Sequence, residues 1–223
     1  MMPDATVDAP RETGSTLPPH GIDNSGGDGD GDGHWQQNNS GPPISMPRIG
    51  LMFIIAGAVM LFAAFITSHV VLRFSAEAWP PANTPTLPDT LWFSTLLIAL
   101  SSVPAQLAVR AARVGATKRL QGMVMTTLLL GLAFCVFQSM VWNDLVHEGL
   151  TMRSSQLGSN FYCLTVLHVL HVVGGIAYLG VTLRDALHAR FTPQDNERVA
   201  NCMIYWHFVG ILWYTLFAAL FLI

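Results

Sequence analysis

Hydrophobic and polar residues are segregated into long blocks along this chain. Residues 1–47 are polar and rich in Gly, Pro, Ser and Asn. Apolar blocks of 19 to 25 residues follow, and none of them contains Asp, Glu, Lys or Arg. The five blocks are 49–72, 91–109, 120–141, 161–183 and 199–223.

The length of the blocks predicts helices that cross a membrane. A helix of about 20 residues spans the roughly 30 Å hydrocarbon core, and it satisfies its own backbone hydrogen bonds there. A β-barrel would instead show alternating segments of about ten residues. We therefore expect an all-α membrane protein with five transmembrane helices over 48–223, preceded by a disordered acidic tail over 1–47.

Charge indicates how the helices are oriented. With the N-terminus inside, nine of the eleven Lys and Arg residues face the cytoplasm, and only Arg73 and Arg153 face out. This arrangement satisfies the positive-inside rule, so the C-terminus is expected outside. The tail, with seven acids and one base, is then cytoplasmic.

Composition excludes several classes of protein. The chain is 51% hydrophobic and 11% charged, whereas about a quarter of the residues of a soluble domain are charged. This disfavours a soluble enzyme, and the lack of a broad basic surface disfavours a nucleic-acid binder. The cysteines lie in apolar blocks without a CxxC pair, so neither a disulfide framework nor a zinc site is indicated; they are Cys135, Cys163 and Cys202.

Two histidines make the fourth block the main candidate site. His168 and His171 are three residues apart and share one helix face with Gly175, and polar groups at membrane depth are functional candidates. One hypothesis is a haem or metal site. However, the fourth and fifth helices run in opposite directions, which places His171 and His207 at different depths. The alternative is neutral histidines that pack helices or bind lipid headgroups.

Several motifs are distributed over the apolar blocks and the links between them. The central motif runs through His147-Glu148-Gly149-Leu150-Thr151, Leu157-Gly158-Ser159, Phe161-Tyr162, Leu164-Thr165, His168, His171-Val172 and Gly175. Other motif positions are Ala56, Val59-Met60, Phe62-Ala63-Ala64-Phe65, Trp79-Pro80-Pro81, Ser101-Ser102, Tyr205-Trp206-His207-Phe208-Val209 and Trp213. Together, over about 48–223, they resemble subunit III of haem-copper terminal oxidases in its five-helix bacterial form.

The resemblance implies a non-catalytic subunit in a bacterial inner-membrane complex that reduces oxygen to water and translocates protons. It implies no redox centre and no metal in this chain, with haems and copper in partner subunits. Subunit I is the expected main partner, and subunit II and a small fourth subunit are further candidates. The family fold also holds phospholipids, and the residues expected to bind or brace them are His168, His171, Arg184, Trp206 and His207.

The sequence departs from the family at three positions that usually carry membrane carboxylates. They are Ala58 in the first helix, Val141 in the third and Gly210 in the fifth. A carboxylate is the natural proton-relay group at that depth, so these departures weaken a relay role and leave the scaffolding role intact.

Two alternative functions stay open on the sequence. One is the homologous accessory protein of a nitric oxide reductase, which shares the fold. The other is a membrane haem b anchor. The sequence also leaves open whether cytochrome c or quinol donates the electrons, since that choice lies in subunit II.

Overall fold

The structure, a computed structural model, describes residues 45–76, 90–153 and 156–221. Every helix in these ranges is long and apolar enough to cross a membrane, which confirms the predicted five-helix membrane architecture. The helices are α1 (Met46–Ser75), α2 (Thr90–Arg113), α3 (Thr117–His147), α4 (Gln156–Leu187) and α5 (Glu197–Phe221). The predictions for residues 1–44 and for Trp79-Pro80-Pro81 lie outside the described residues.

Most of the helices extend beyond the apolar blocks. α1 begins at Met46, inside the predicted tail, because Pro47 fits the first turn of a helix, where a backbone N–H has no partner anyway. α3 continues to His147, with Glu148 as its C-cap, so it extends six residues beyond the predicted block, which ends at residue 141. Polar residues continue a helix once it is nucleated, and the hydrophobic pattern alone therefore marks its ends too early.

Three helices end in the same hydrogen-bonded motif, which needs one residue in the left-handed region. That residue is Gly115 after α2 (φ 69°), Gly149 after α3 (φ 89°) and Ala189 after α4 (φ 51°). Each time its N–H donates to the carbonyl three residues back, and the next N–H donates to the carbonyl five residues back. This is the Schellman motif, which satisfies the last carbonyls of the helix. At Ala189 it requires a backbone conformation that favours glycine.

Helices α2 to α5 pack around one another, whereas α1 is attached to one side. Within the described residues, α1 contacts α4 and α5 but neither α2 nor α3. Its buried seam is narrow and consists of Leu51, Ala58, Phe62 and His69. Most of the other large apolar side chains of α1 are exposed, as expected for a helix that meets lipid or another subunit.

Three contacts bring the start of α1, the α2–α3 turn and the α4–α5 link to the same end of the bundle. Ser45 Oγ donates a hydrogen bond to the carboxylate of Glu197. Gln121 Nε2 donates to the carbonyl of Ala186 at 2.9 Å, and Gly115 lies against Pro193. The helices thus alternate in direction as predicted. That this end faces the cytoplasm stays a prediction.

Candidate functional site

Trp206 of α5 lies between three other helices. Its Nε1 donates a hydrogen bond to Ser101 Oγ of α2 at 3.0 Å. A Cβ added to Gly131 of α3 would lie 2.5 Å from Cη2 of the indole ring, and one added to Gly175 of α4 would lie 3.1 Å from Cε3. Only glycine allows helices to approach a large ring this closely, so Trp206 ties α5 to α2, α3 and α4.

His168 is completely buried beside a second tryptophan. Its ring centroid lies 5.1 Å from that of Trp213 and 6.1 Å from that of Phe134. Trp213 Nε1 donates to Thr95 Oγ1 of α2 at 3.0 Å. Neither ring nitrogen of His168 has a hydrogen-bond partner among the described residues. The position therefore makes His168 a packing residue between α3, α4 and α5.

His171 does not share the burial of His168. It is half-buried, and its ring meets that of Phe62 of α1 edge-on, with centroids 5.3 Å apart. Its Nδ1 donates to the carbonyl of Leu167 at 2.7 Å, and its own carbonyl accepts a hydrogen bond from the Tyr205 hydroxyl at 3.2 Å. His171 therefore lies where α1, α4 and α5 meet.

A groove of about 390 Å³ opens at the same three-helix junction. Tyr178 and Tyr205 line it on one side, while Gly50 and Gly174 leave room in its wall; the other lining residues are Pro47, Leu51 and Ile54. The Tyr205 hydroxyl connects the groove to the carbonyl of His171. An apolar groove with a few hydroxyl groups suits an acyl chain or another slender apolar ligand.

The remaining predicted site residues are not grouped with this groove. Trp206 is 2% exposed and lies in the interior. His207 is half-buried, with an Nε2 that has no partner among the described residues. Arg184 is exposed in the last turn of α4. The Tyr205 hydroxyl joins the carbonyl of His171 to the groove. His168 and Trp206 lie in the interior, His207 is half-buried, and Arg184 lies at the bundle end.

Sequence reasoning missed the buried carboxylate of Asp185 in the last turn of α4. Asp185 is 4% exposed and forms ion pairs with Arg190, at 3.2 Å, and with Arg198 of α5. In the end motif of α4, the N–H of Arg190 donates to the carbonyl of Asp185. The equivalent pairs are apolar in the other two motifs: Ala116 with Ala111 after α2, and Leu150 with Leu145 after α3. The sequence signal that could have indicated this ion pair is Arg190, which follows Asp185 by five residues.

Three further observations concern interior chemistry. Ala58, Val141 and Gly210, where the resemblance leads us to expect carboxylates, are all buried. The amide of Gln138, 1% exposed, has no hydrogen-bond partner in the described part of the chain. Among the described residues, no group of three or more His, Cys, Asp and Glu side chains is placed to hold a metal ion.

Comparison with known proteins adds independent information. A family model described as cytochrome c oxidase subunit III matches residues 43–223. The chain is 34% identical over 181 residues to a probable cytochrome c oxidase subunit 3 of Nocardia farcinica, covering 80% of this chain and 89% of that protein. It is 31% identical over 183 residues to the cytochrome c oxidase subunit 3 of Corynebacterium diphtheriae, with coverage of 80% and 89%. It is 26% identical over 202 residues to the quinol oxidase subunit 3 of Bacillus subtilis, with coverage of 85% and 96%.

Proposed function

Since the chain belongs to the cytochrome c oxidase subunit III family, we propose that its helices stabilise the catalytic subunit I of a bacterial haem-copper oxygen reductase and hold phospholipid beside it. Family membership is the observation that carries this conclusion. The chain is subunit III of a haem-copper oxidase, a multi-pass protein of the bacterial inner membrane. Through its complex with other oxidase subunits, it takes part in aerobic respiration and electron transport.

We also propose which subunits this chain contacts and which redox groups lie outside it. Subunit I is the proposed main contact, subunit II is a second, and the haems and copper belong to these partners. This chain then has no redox centre and no catalytic residue of its own. A tagged chain purified from its native membrane in mild detergent is expected to bring subunit I with it, and its absence would disprove the assignment. The chain expressed alone is expected to show no Soret band.

The proposed lipid position is the groove between α1, α4 and α5. The residues that line this groove are uncharged, and their polar groups include the hydroxyls of Tyr178 and Tyr205. Lipid in this groove would bridge α1 to the rest of the bundle, which α1 otherwise contacts through a narrow seam. Holding a lipid here would therefore stabilise the helix with the fewest contacts of its own.

Filling the groove tests this position. A Cβ added to Gly50 meets nothing within 4 Å, so Gly50→Leu occupies the groove without a clash. The matched control is Gly57→Leu on the same helix, which also meets nothing within 4 Å and does not line the groove. We expect mass spectrometry to find fewer co-purified phospholipids with Gly50→Leu only. Equal lipid content in the two variants would contradict the assignment.

His171→Leu is the companion variant. Because the variant removes the edge-on contact of the His171 ring with Phe62 of α1, we expect looser lipid retention with an unchanged haem spectrum of the complex. Unchanged lipid content would show that the histidine has no part in holding lipid.

A further inference from the structure

The end of the bundle formed by the α2–α3 turn carries four basic side chains in ten residues. Arg110 and Arg113 belong to the last turn of α2, and Lys118 and Arg119 to the first turn of α3. All four are exposed. Both ion pairs in the described part of the chain are made by Asp185 instead. Residues 90–143 contain no Asp or Glu at all, so this positive charge is not neutralised along its own hairpin.

A shallow groove leads from this charge into the membrane. Its volume is about 330 Å³, and it follows one face of α2, lined by Ser102, Val103, Gln106, Leu107 and Arg110. Gln106 is exposed although it lies within a membrane-spanning helix. Polar side chains in such helices usually face the protein interior, so an exposed amide at this depth points to a polar ligand outside the bundle.

The order of the groups along the groove matches a phospholipid. Arg110 lies nearest the bundle end, and Gln106 lies one turn, about 6 Å, deeper. Beyond Gln106 the wall is apolar except for Ser102, whose hydroxyl faces the carbonyl of Ile98 at 3.5 Å. A phosphate, an ester carbonyl and an acyl chain follow one another over a similar distance, and guanidinium groups bind phosphate strongly.

We propose that an anionic phospholipid binds the face of α2 below the α2–α3 turn. Its phosphate contacts Arg110 and Arg113, Gln106 donates to its ester carbonyl, and one acyl chain follows Val103 and Leu107. This position shares no lining residue with the groove between α1, α4 and α5. It is therefore a second lipid position that stands or falls separately from the first.

Neutralising the bases tests the headgroup contact in the assembled complex. Each base near the surface adds about fivefold to the binding of an anionic lipid, equivalent to about 1 kcal/mol. The double variant Arg110→Gln, Arg113→Gln is therefore expected to bind anionic phospholipid roughly 30-fold more weakly. Mass spectrometry of the purified complex should show loss of anionic lipid with unchanged zwitterionic lipid. Arg153→Gln, an exposed base outside this hairpin, is the control and should lose none.

Blocking the acyl chain separates a lipid from free phosphate. Val103 is 60% exposed, so Val103→Phe fills the groove without changing the charge, and it carries the test if the double variant does not assemble. We expect the same lipid loss in this variant. The proposal would be overturned if the wild type held inorganic phosphate instead of lipid at these bases and only the arginine variant lost it.

Unchanged anionic lipid in both variants would also overturn the proposal, because the bases would then be simple orientation anchors.

Discussion

The close approach of Gly131 to Trp206 gives the sharpest test of the fold. Trp206 cannot move freely, because its Nε1 donates to Ser101 and Gly175 lies against another part of the ring. In Gly131→Ala, the new methyl group would lie 2.5 Å from Cη2 and 3.0 Å from Cζ2 of the ring. These distances are far below van der Waals contact, so the ring or α3 must shift.

The magnitude follows from three terms. Overpacking a well-filled interior costs about 1–3 kcal/mol, and loss of the Trp206–Ser101 hydrogen bond costs about 1 kcal/mol. Alanine in place of glycine inside a helix returns up to about 1 kcal/mol. Gly122→Ala on the same helix isolates the last term, because its added Cβ meets nothing within 4 Å. Gly131→Ala should therefore be about 2–4 kcal/mol less stable than Gly122→Ala.

The assay is thermal precipitation of the tagged chain from the detergent-solubilised oxidase. For a chain of this size, the expected difference in midpoint temperature is roughly 4–16 °C. A double-mutant cycle with Trp206→Phe should show that much of the penalty depends on the indole. Equal midpoints for Gly131→Ala and Gly122→Ala would refute the interior placement of Trp206.

Three more predictions test other parts of the bundle. Ala189 adopts a left-handed backbone (φ 51°), so Ala189→Gly should stabilise the chain by about 1 kcal/mol in the same thermal assay. Gly149→Ala (φ 89°) should destabilise it by about as much. Equal stability of the two variants would contradict the shared end motif. Asp185→Asn should lower stability by about 1–2 kcal/mol, a value that allows for the exposure of its arginine partners. It should also speed proteolysis of the α4–α5 link. The control Asp195→Asn, at an exposed residue, should have neither effect. The buried His168 ring packs between aromatic rings, and its nitrogens have no partner among the described residues. His168→Phe should therefore change stability by less than about 1 kcal/mol and leave lipid content and oxidase activity intact. Loss of activity would show that the histidine has a chemical role.

The sequence predicted the helices well because membrane burial imposes a long apolar block on each one. It predicted their ends poorly, because ends are set by local hydrogen bonding, as in the motifs at Gly115, Gly149 and Ala189. The comparisons confirmed the family resemblance, and a spacing of three residues directed attention to His168 and His171 together. Only the structure separates them, since a spacing of three residues places both on one helix face but does not reveal which one meets α1.

The tryptophan contacts were harder to predict for a related reason. Trp206 and Trp213 are seven residues apart and donate to Ser101 and Thr95, which are six apart on α2. Such pairs depend on how two helices cross, and a single sequence carries no record of that crossing. The small residues that make room for Trp206 lie on two further helices, so no local pattern identifies the position.

The distribution of charge in the described residues supports a structural role for the bundle interior. The three positions where carboxylates are usual are buried and apolar or Gly, and the buried carboxylate present, Asp185, is already neutralised by two arginines at the bundle end. In place of those carboxylates, the described interior offers aromatic rings, hydroxyls, close glycine contacts and the buried imidazoles of His69 and His168. Four of the exposed basic side chains lie on the α2–α3 hairpin, outside this interior. The chemistry of this subunit is therefore expected at its lipid-facing surface and its basic end.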